Sequence, residues 1–198
     1  MLFRKDNKVP AEIKAVNAES WYNGLSDQDR MRLSRYLAGA DTSSALGLFM
    51  SVAEKALSDE NGRFAVDMCN AAYSECDLTD YQRFKINEVL IDAYMDTERY
   101  EDAKAACEIN LGLFPSIKEE LIAEYGSVPE KLSFRNRYID VIVGIDSSYD
   151  LAFEMLKKYN EMGILSDKDL AYRTESLKTH RLQRIFDGVY TYRPAGER

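Results

Sequence analysis

Histidine, cysteine and paired carboxylates build most catalytic and metal sites, and this chain offers few of them in useful patterns. His180 is the one histidine in 198 residues. A two-histidine zinc site is therefore excluded, as is a helical di-iron site, which needs two Glu-x-x-His motifs. A Cys–His dyad would need His180 to reach the middle of the chain; the expectation is an exposed histidine on a basic helix. Cys69, Cys76 and Cys107 are odd in number and form no Cys-x-x-Cys pair. This argues against a disulfide framework and for a reducing compartment, with the thiols acting as small core hydrophobes. Asp59-Glu60, Glu101-Asp102 and Glu119-Glu120 are adjacent in sequence. Adjacent residues on a helix do not face each other, so these pairs read as solvated or dipole-stabilising groups, not acid–base couples. Gly144-Ile145-Asp146-Ser147-Ser148 lacks the lysine and glycine spacing of a phosphate loop. The expectation is a non-catalytic protein with no cofactor, no metal and no catalytic residue.

Charge narrows the partners. The formal net charge is −8. Residues 41–131 hold 8 basic against 19 acidic side chains, whereas residues 1–40 and 167–198 each hold 7 basic against 5 acidic. An acidic middle repels phosphate backbones, so no nucleic acid is expected as a partner. No run approaches the ~18 uncharged apolar residues of a membrane span, and the opening Met1-Leu2-Phe3-Arg4-Lys5-Asp6 is no signal peptide. The expectations are no membrane and a cytoplasmic location.

The elements that would position these residues are helices. Hydrophobic residues make up 45% of the chain, enough for a packed core, and no alternating Val/Ile/Thr run flanks a hairpin turn. Capping patterns recur at Ser26-x-x-Asp29, Thr79-x-x-Gln82, Ser116-x-x-Glu119, Ser127-x-x-Glu130 and Ser166-x-x-Asp169. Gly62, Gly126, Gly163 and Gly188 sit where helices should stop. The punctuation predicts helices over 10–22, 26–38, 43–58, 62–76, 80–96, 98–112, 116–125, 128–145, 147–162 and 167–187, in one domain. The joins are short enough to fold most neighbours antiparallel.

Phe84 to Pro115 reads FKINEVLIDAYMDTERYEDAKAACEINLGLFP. Leu90, Ala93 and Tyr94, then Tyr100-x-x-Ala103 and the closing Pro115, fit an aromatic and small-residue pattern; Asn87 and Ile91 depart from it. A weaker copy spans Leu46–Thr79, with Phe49, Val52, Ala53, Ala65, Cys69 and Ala72. Another spans Ser133–Ile164, with Ile139, Tyr149, Ala152 and Leu156. The segment resembles a tetratricopeptide repeat, although Ala65, Ala103 and Ala152 lie 38 and 49 residues apart against a family period of ~34. A small side chain at each of these places lets paired helices approach closely. The expected fold is all-α: a superhelix of about three helical hairpins, at 43–79, 80–115 and 128–164. Capping helices cover 1–42, and a capping helix and tail cover 165–198.

That resemblance implies a concave groove lined by first helices, taking a partner peptide or amphipathic helix. Carried over by position, the groove would present Met50, Ser51, Glu54, Lys85, Glu88, Val89, Asp92, Arg137, Tyr138 and Val141. Members that clamp chaperone carboxyl termini use Lys and Asn where Met50, Glu54, Glu88 and Asp92 stand here, so that ligand is not expected. The carboxylates suit a mixed or basic segment. The leading expectation is an adaptor, assembly factor or small chaperone. The alternatives are a regulatory protein or enzyme with a small-molecule pocket near residues 116–145, and a homo-oligomeric structural protein. The tail Val189–Arg198, with VYTYRP at its start, is a second candidate contact.

Overall fold

The computed structural model describes residues 8–191, with side chains to Asp187. The tail from Tyr192 and the opening hexapeptide lie outside the described residues, as do the side chains of Val189 to Thr191. Among the described residues every element is a helix. They are α1 (Ala11–Ala15), α2 (Glu19–Gly24), α3 (Asp27–Leu33), α4 (Ala45–Ser58), α5 (Gly62–Glu75), α6 (Asp80–Asp96), α7 (Tyr100–Tyr125), α8 (Ser133–Gly144), α9 (Tyr149–Glu161) and α10 (Asp167–Thr191). The chain forms two compact units, 1–117 and 118–198.

In the first unit α5 packs between α4 and α6, and α4 also meets α6. The helices start where sequence chemistry allows. Thr79 and Gln82 form a reciprocal capping box, and Ser26 accepts from the Asp29 N–H at 3.1 Å. Ser44 caps α4 by accepting from Gly47 N–H at 3.0 Å, a cap with no acidic partner three residues on. Below them lies a core of Ile13, Leu33, Leu48, Phe49, Val52, Ile86 and Ile91, all shut from solvent. Trp21 meets Phe49 edge-on at 4.8 Å, and Tyr36 stacks on Phe64 at 5.5 Å.

The 38-residue offset recurs in the backbone. Glu60 and Glu98 both take φ +57° and end α4 and α6. Past each corner a backbone N–H turns back to a carbonyl: Asn61 to Ala56 and Arg99 to Tyr94, both at 2.8 Å. Each is the six-to-one bond of a Schellman turn, with glutamate standing where glycine is usual. Ser147, at φ +55°, turns the corner between α8 and α9, and Ser148 N–H reaches back to Ile142 O at 2.7 Å. Ala65, Ala103 and Ala152 follow these three corners, and each is fully buried.

Gly62 is the first residue of α5, not a helix stop. Its N–H donates to Asp96 Oδ2 at 3.0 Å, which ties the start of α5 to the end of α6. A Cβ there would lie 2.9 Å from the Ala93 carbonyl oxygen, so this close approach requires glycine.

Other boundaries differ from expectation for physical reasons. The 10–22 helix breaks at Asn17, which takes φ +57°. The 26–38 helix ends at Leu33, and Met31 within it is 52% exposed. Pro115 closes nothing: α7 runs through it to Tyr125. Pro115 is exposed, while buried Phe114 and Ile117 hold the helix on either side of it. Ser116 therefore caps nothing and donates to Leu113 O at 2.8 Å inside the helix. Ser127 starts no helix either; α8 begins at Ser133 without a side-chain cap. Gly126 and Gly163 do take positive φ past helix ends, whereas Gly188 lies inside α10.

In the second unit α9 packs against both α8 and α10. Phe134, Val141, Ile142, Ala152 and Tyr159 form its buried centre, with Phe134 and Tyr159 edge-to-face at 6.0 Å. Ser166 caps α10 as its sequence pattern predicts, accepting from Asp169 N–H at 3.1 Å. Leu177 is buried, but Leu182, Ile185 and Phe186 are more than half exposed. These three side chains thus do not pack as those of a cap should.

Candidate functional site

A cleft in the first unit lies between α4 and α6. Residues at i, i+3, i+4 and i+7 share one helical face, so Gly47, Met50, Ser51 and Glu54 line one wall from α4. Tyr81, Gln82 and Lys85 line the other from α6. Together with Asp41 they bound a cleft of about 540 Å³. Met50, Glu54 and Lys85 thus line one cleft. Glu54 is exposed; Met50 and Lys85 are half-buried. Lys85 Nζ lies 5.7 Å from the centre of the Tyr81 ring, a cation–π distance.

Asp41 forms one end of this cleft, and the sequence pattern passed over it. Its Oδ1 accepts from Ser43 N–H at 2.8 Å, and its own N–H donates to Ser51 Oγ at 3.0 Å. The Ser43 hydrogen bonds hold its carboxyl below the usual carboxylate range, so it stays ionised into mild acid. An aspartate three residues before the Ser44 cap was the available signal. Tyr81, one turn before Lys85 on the same face of α6, was equally legible.

A buried polar network fixes α6 beneath the cleft. Asn87 and Asn110 are 3% and 0% exposed, so their amides need partners. Tyr73 donates its hydroxyl to Asn87 Oδ1 at 2.8 Å, and Asn87 Nδ2 donates to Asn110 Oδ1 at 3.0 Å. Asn110 Nδ2 then donates to Phe84 O at 3.1 Å and Glu88 Oε1 at 2.9 Å. Glu88, expected as a groove contact, therefore spends a carboxylate oxygen holding α7 to α6. Asn87, a departure from the repeat pattern, is the centre of this network. Asp92 lies two turns beyond Lys85 and is half-buried.

The three remaining candidates belong to the second unit. Arg137 is exposed and pairs with Asp140 at 3.5 Å. Tyr138 and Val141 are 6% and 0% exposed, so neither can meet a partner. The carry-over by position did not foresee this burial, and α8 begins at Ser133 and not at 128.

The residues weighed for chemistry stay apart. Cys69 and Cys107 are buried, and burial pushes the Cys69 thiol up to about 12. Cys76 ends α5 in extended backbone and is half-buried. His180 is exposed, with Nδ1 2.8 Å from the Tyr149 hydroxyl. Among the described residues no group of three His, Cys, Asp or Glu is arranged to hold a metal ion. Nor is any described helix long and apolar enough to cross a membrane. Comparison with protein-family models, with curated proteins and with solved structures finds no match to this chain.

Proposed function

We propose that the first unit is a protein–protein interaction module, built on tetratricopeptide-like hairpins, that takes a partner peptide or helix in the α4–α6 cleft. The observation that carries this reading is the convergence of Met50, Glu54 and Lys85 on one cleft of about 540 Å³. Two features support the repeat register. Fully buried alanines follow three left-handed corners, and the first two corners share one hydrogen-bond pattern at one offset. An apolar Met50 between Asp41, Glu54 and Lys85 suits an amphipathic segment carrying basic side chains. In this reading the protein is a non-catalytic adaptor, assembly factor or small chaperone.

Site-specific photo-crosslinking in cells tests it. A photoreactive residue at position 50 should give a discrete protein adduct that Glu54→Lys removes while helicity is kept. The same residue at position 70, exposed on α5, should give none. Identical adducts from both positions, or an adduct at 50 indifferent to Glu54→Lys, would refute the cleft as the docking site.

A further inference from the structure

The second unit holds a cleft of its own, about 660 Å³, between α8 and α10. Val143, Leu156 and Leu177, all buried, form an aliphatic floor with half-buried Ile139. Its volume falls within the range typical of small-ligand sites.

Donors and acceptors around this floor are unevenly spent. Asp140 already accepts from Arg137 at 3.5 Å, and Asp169 accepts from the Ser166 hydroxyl at 2.6 Å in the first turn of α10. Arg173, by contrast, lines the cleft with no hydrogen bond or ion pair among the described residues. Its fork of five N–H donors is half-buried against apolar surface. Ser176 lies one turn further along the same face, and its hydroxyl likewise has no hydrogen bond among the described residues. Beside them Arg135 is 6% exposed, and its guanidinium donates to the neutral acceptors Ile164 O and Asn136 Oδ1, both at 3.3 Å. Burial first, and then the Arg173 charge, depress the Arg135 pKa. Hydrogen-bond donors are therefore unspent at this end of the cleft, where Asp169 offsets part of the Arg173 and Arg135 charge.

We propose that the α8–α10 cleft binds a small amphiphilic monocarboxylate, with its head on Arg173 and Ser176 and its hydrocarbon body on Ile139, Val143 and Leu177. An arginine fork matches a carboxylate in a two-bond geometry. A single negative charge fits better than a double one, because the carboxylates of Asp140 and Asp169 line the same cleft and repel a dianion. This site lies within the second unit and does not depend on the docking role of the first.

Isothermal titration of the whole chain with octanoate, octylamine, octanol and octyl phosphate tests the assignment. Octanoate should bind with a Kd of about 1 mM or tighter, and more tightly than the other three. Arg173→Gln should weaken octanoate about tenfold while leaving octanol unchanged. Ile139→Trp, which fills the floor, should weaken octanoate and octanol alike. Lys157→Gln, exposed on α9, should change nothing. Octylamine or octyl phosphate binding as tightly as octanoate would overturn the proposal. So would octanoate affinity indifferent to Arg173→Gln in a variant of normal helicity, or no octanoate binding at all.

Discussion

Gly62→Ala and Gly112→Ala are the same chemical change in two helices of one unit, and they should act with opposite sign. Alanine is favoured over glycine in a helix by about 0.5–1 kcal/mol, which is the baseline for both. Gly112 is exposed in α7, and an added Cβ would meet nothing within 4 Å. That variant should gain roughly this amount. At Gly62 the Cβ would lie 2.9 Å from the Ala93 carbonyl oxygen and would also press on Asp96 Oδ2. The carboxylate can swing away, but the carbonyl is part of α6 and cannot. Overpacking of this kind costs about 1–3 kcal/mol. Moving α5 outward to relieve it stretches the Gly62 N–H to Asp96 bond, a charge-assisted contact worth about 1.5–3 kcal/mol at most. The net expectation is a loss of about 2 kcal/mol, so the two variants should differ by about 3 kcal/mol. Urea unfolding followed by far-UV circular dichroism measures this, and thermal midpoints should move by about 2–4 °C per kcal/mol at this chain length. Adding Asp96→Ala to Gly62→Ala should not restore stability, because the carbonyl remains. Equal shifts at positions 62 and 112, or full rescue by Asp96→Ala, would refute the close approach of α5 to α6.

Ala103→Leu should cost about 1–3 kcal/mol by overpacking a fully buried position, whereas Ala105→Leu on the exposed side of α7 should change stability by less than about 0.5 kcal/mol. Asn110→Leu removes the acceptor of the buried Asn87 amide, and should cost about 2–3 kcal/mol in denaturant titration. Adding Asn87→Leu should cost less than the sum of the single changes, since the amide that each single change leaves unpaired is absent from the double variant. Iodoacetamide at pH 8 should label Cys76 in the native protein well before Cys69, whose buried thiol ionises only near 12; equal labelling by peptide mass would contradict the packing. Burial also raises the Tyr73 phenol to about 12. For both groups the folded state holds the proton more tightly than the unfolded chain, whose values are near 9 and 10. Their contribution to stability is therefore complete below about pH 9 and declines from there towards pH 12. This contribution predicts urea midpoints level between pH 8 and 9 and falling from there to pH 11, and a profile flat throughout would refute the burial argument.

Helices with strong local signals were legible, and those decided by tertiary contacts were not. The capping box at Thr79 and the serine caps at Ser26 and Ser166 placed α6, α3 and α10 from side-chain chemistry alone. Pro115 misled because its cost depends on which side it faces; on the exposed side, buried Phe114 and Ile117 outweigh one lost hydrogen bond. Glu60 and Glu98 carry no sequence mark of a left-handed corner, since glycine would have been the obvious candidate. Within the cleft Met50, Glu54 and Lys85 came from the resemblance carried over by position; helical spacing alone puts only Met50 and Glu54 on one face of α4. Tyr138 and Val141 could not be placed, since the start of α8 has no side-chain cap to fix its phase. Arg173 offered no signal: an unspent guanidinium is visible only once its surroundings are known.

The unbroken course of α7 from Tyr100 to Tyr125 determines how this chain can be cut. The boundary between its two units falls after Ile117, inside that helix. A fragment ending at Pro115, where the sequence invites a stop, would discard Ile117, which is 1% exposed, along with the turns that follow it. The first unit expressed by itself should keep its solubility and melting behaviour only when it is carried on to Gly126, the next residue able to end a helix cleanly.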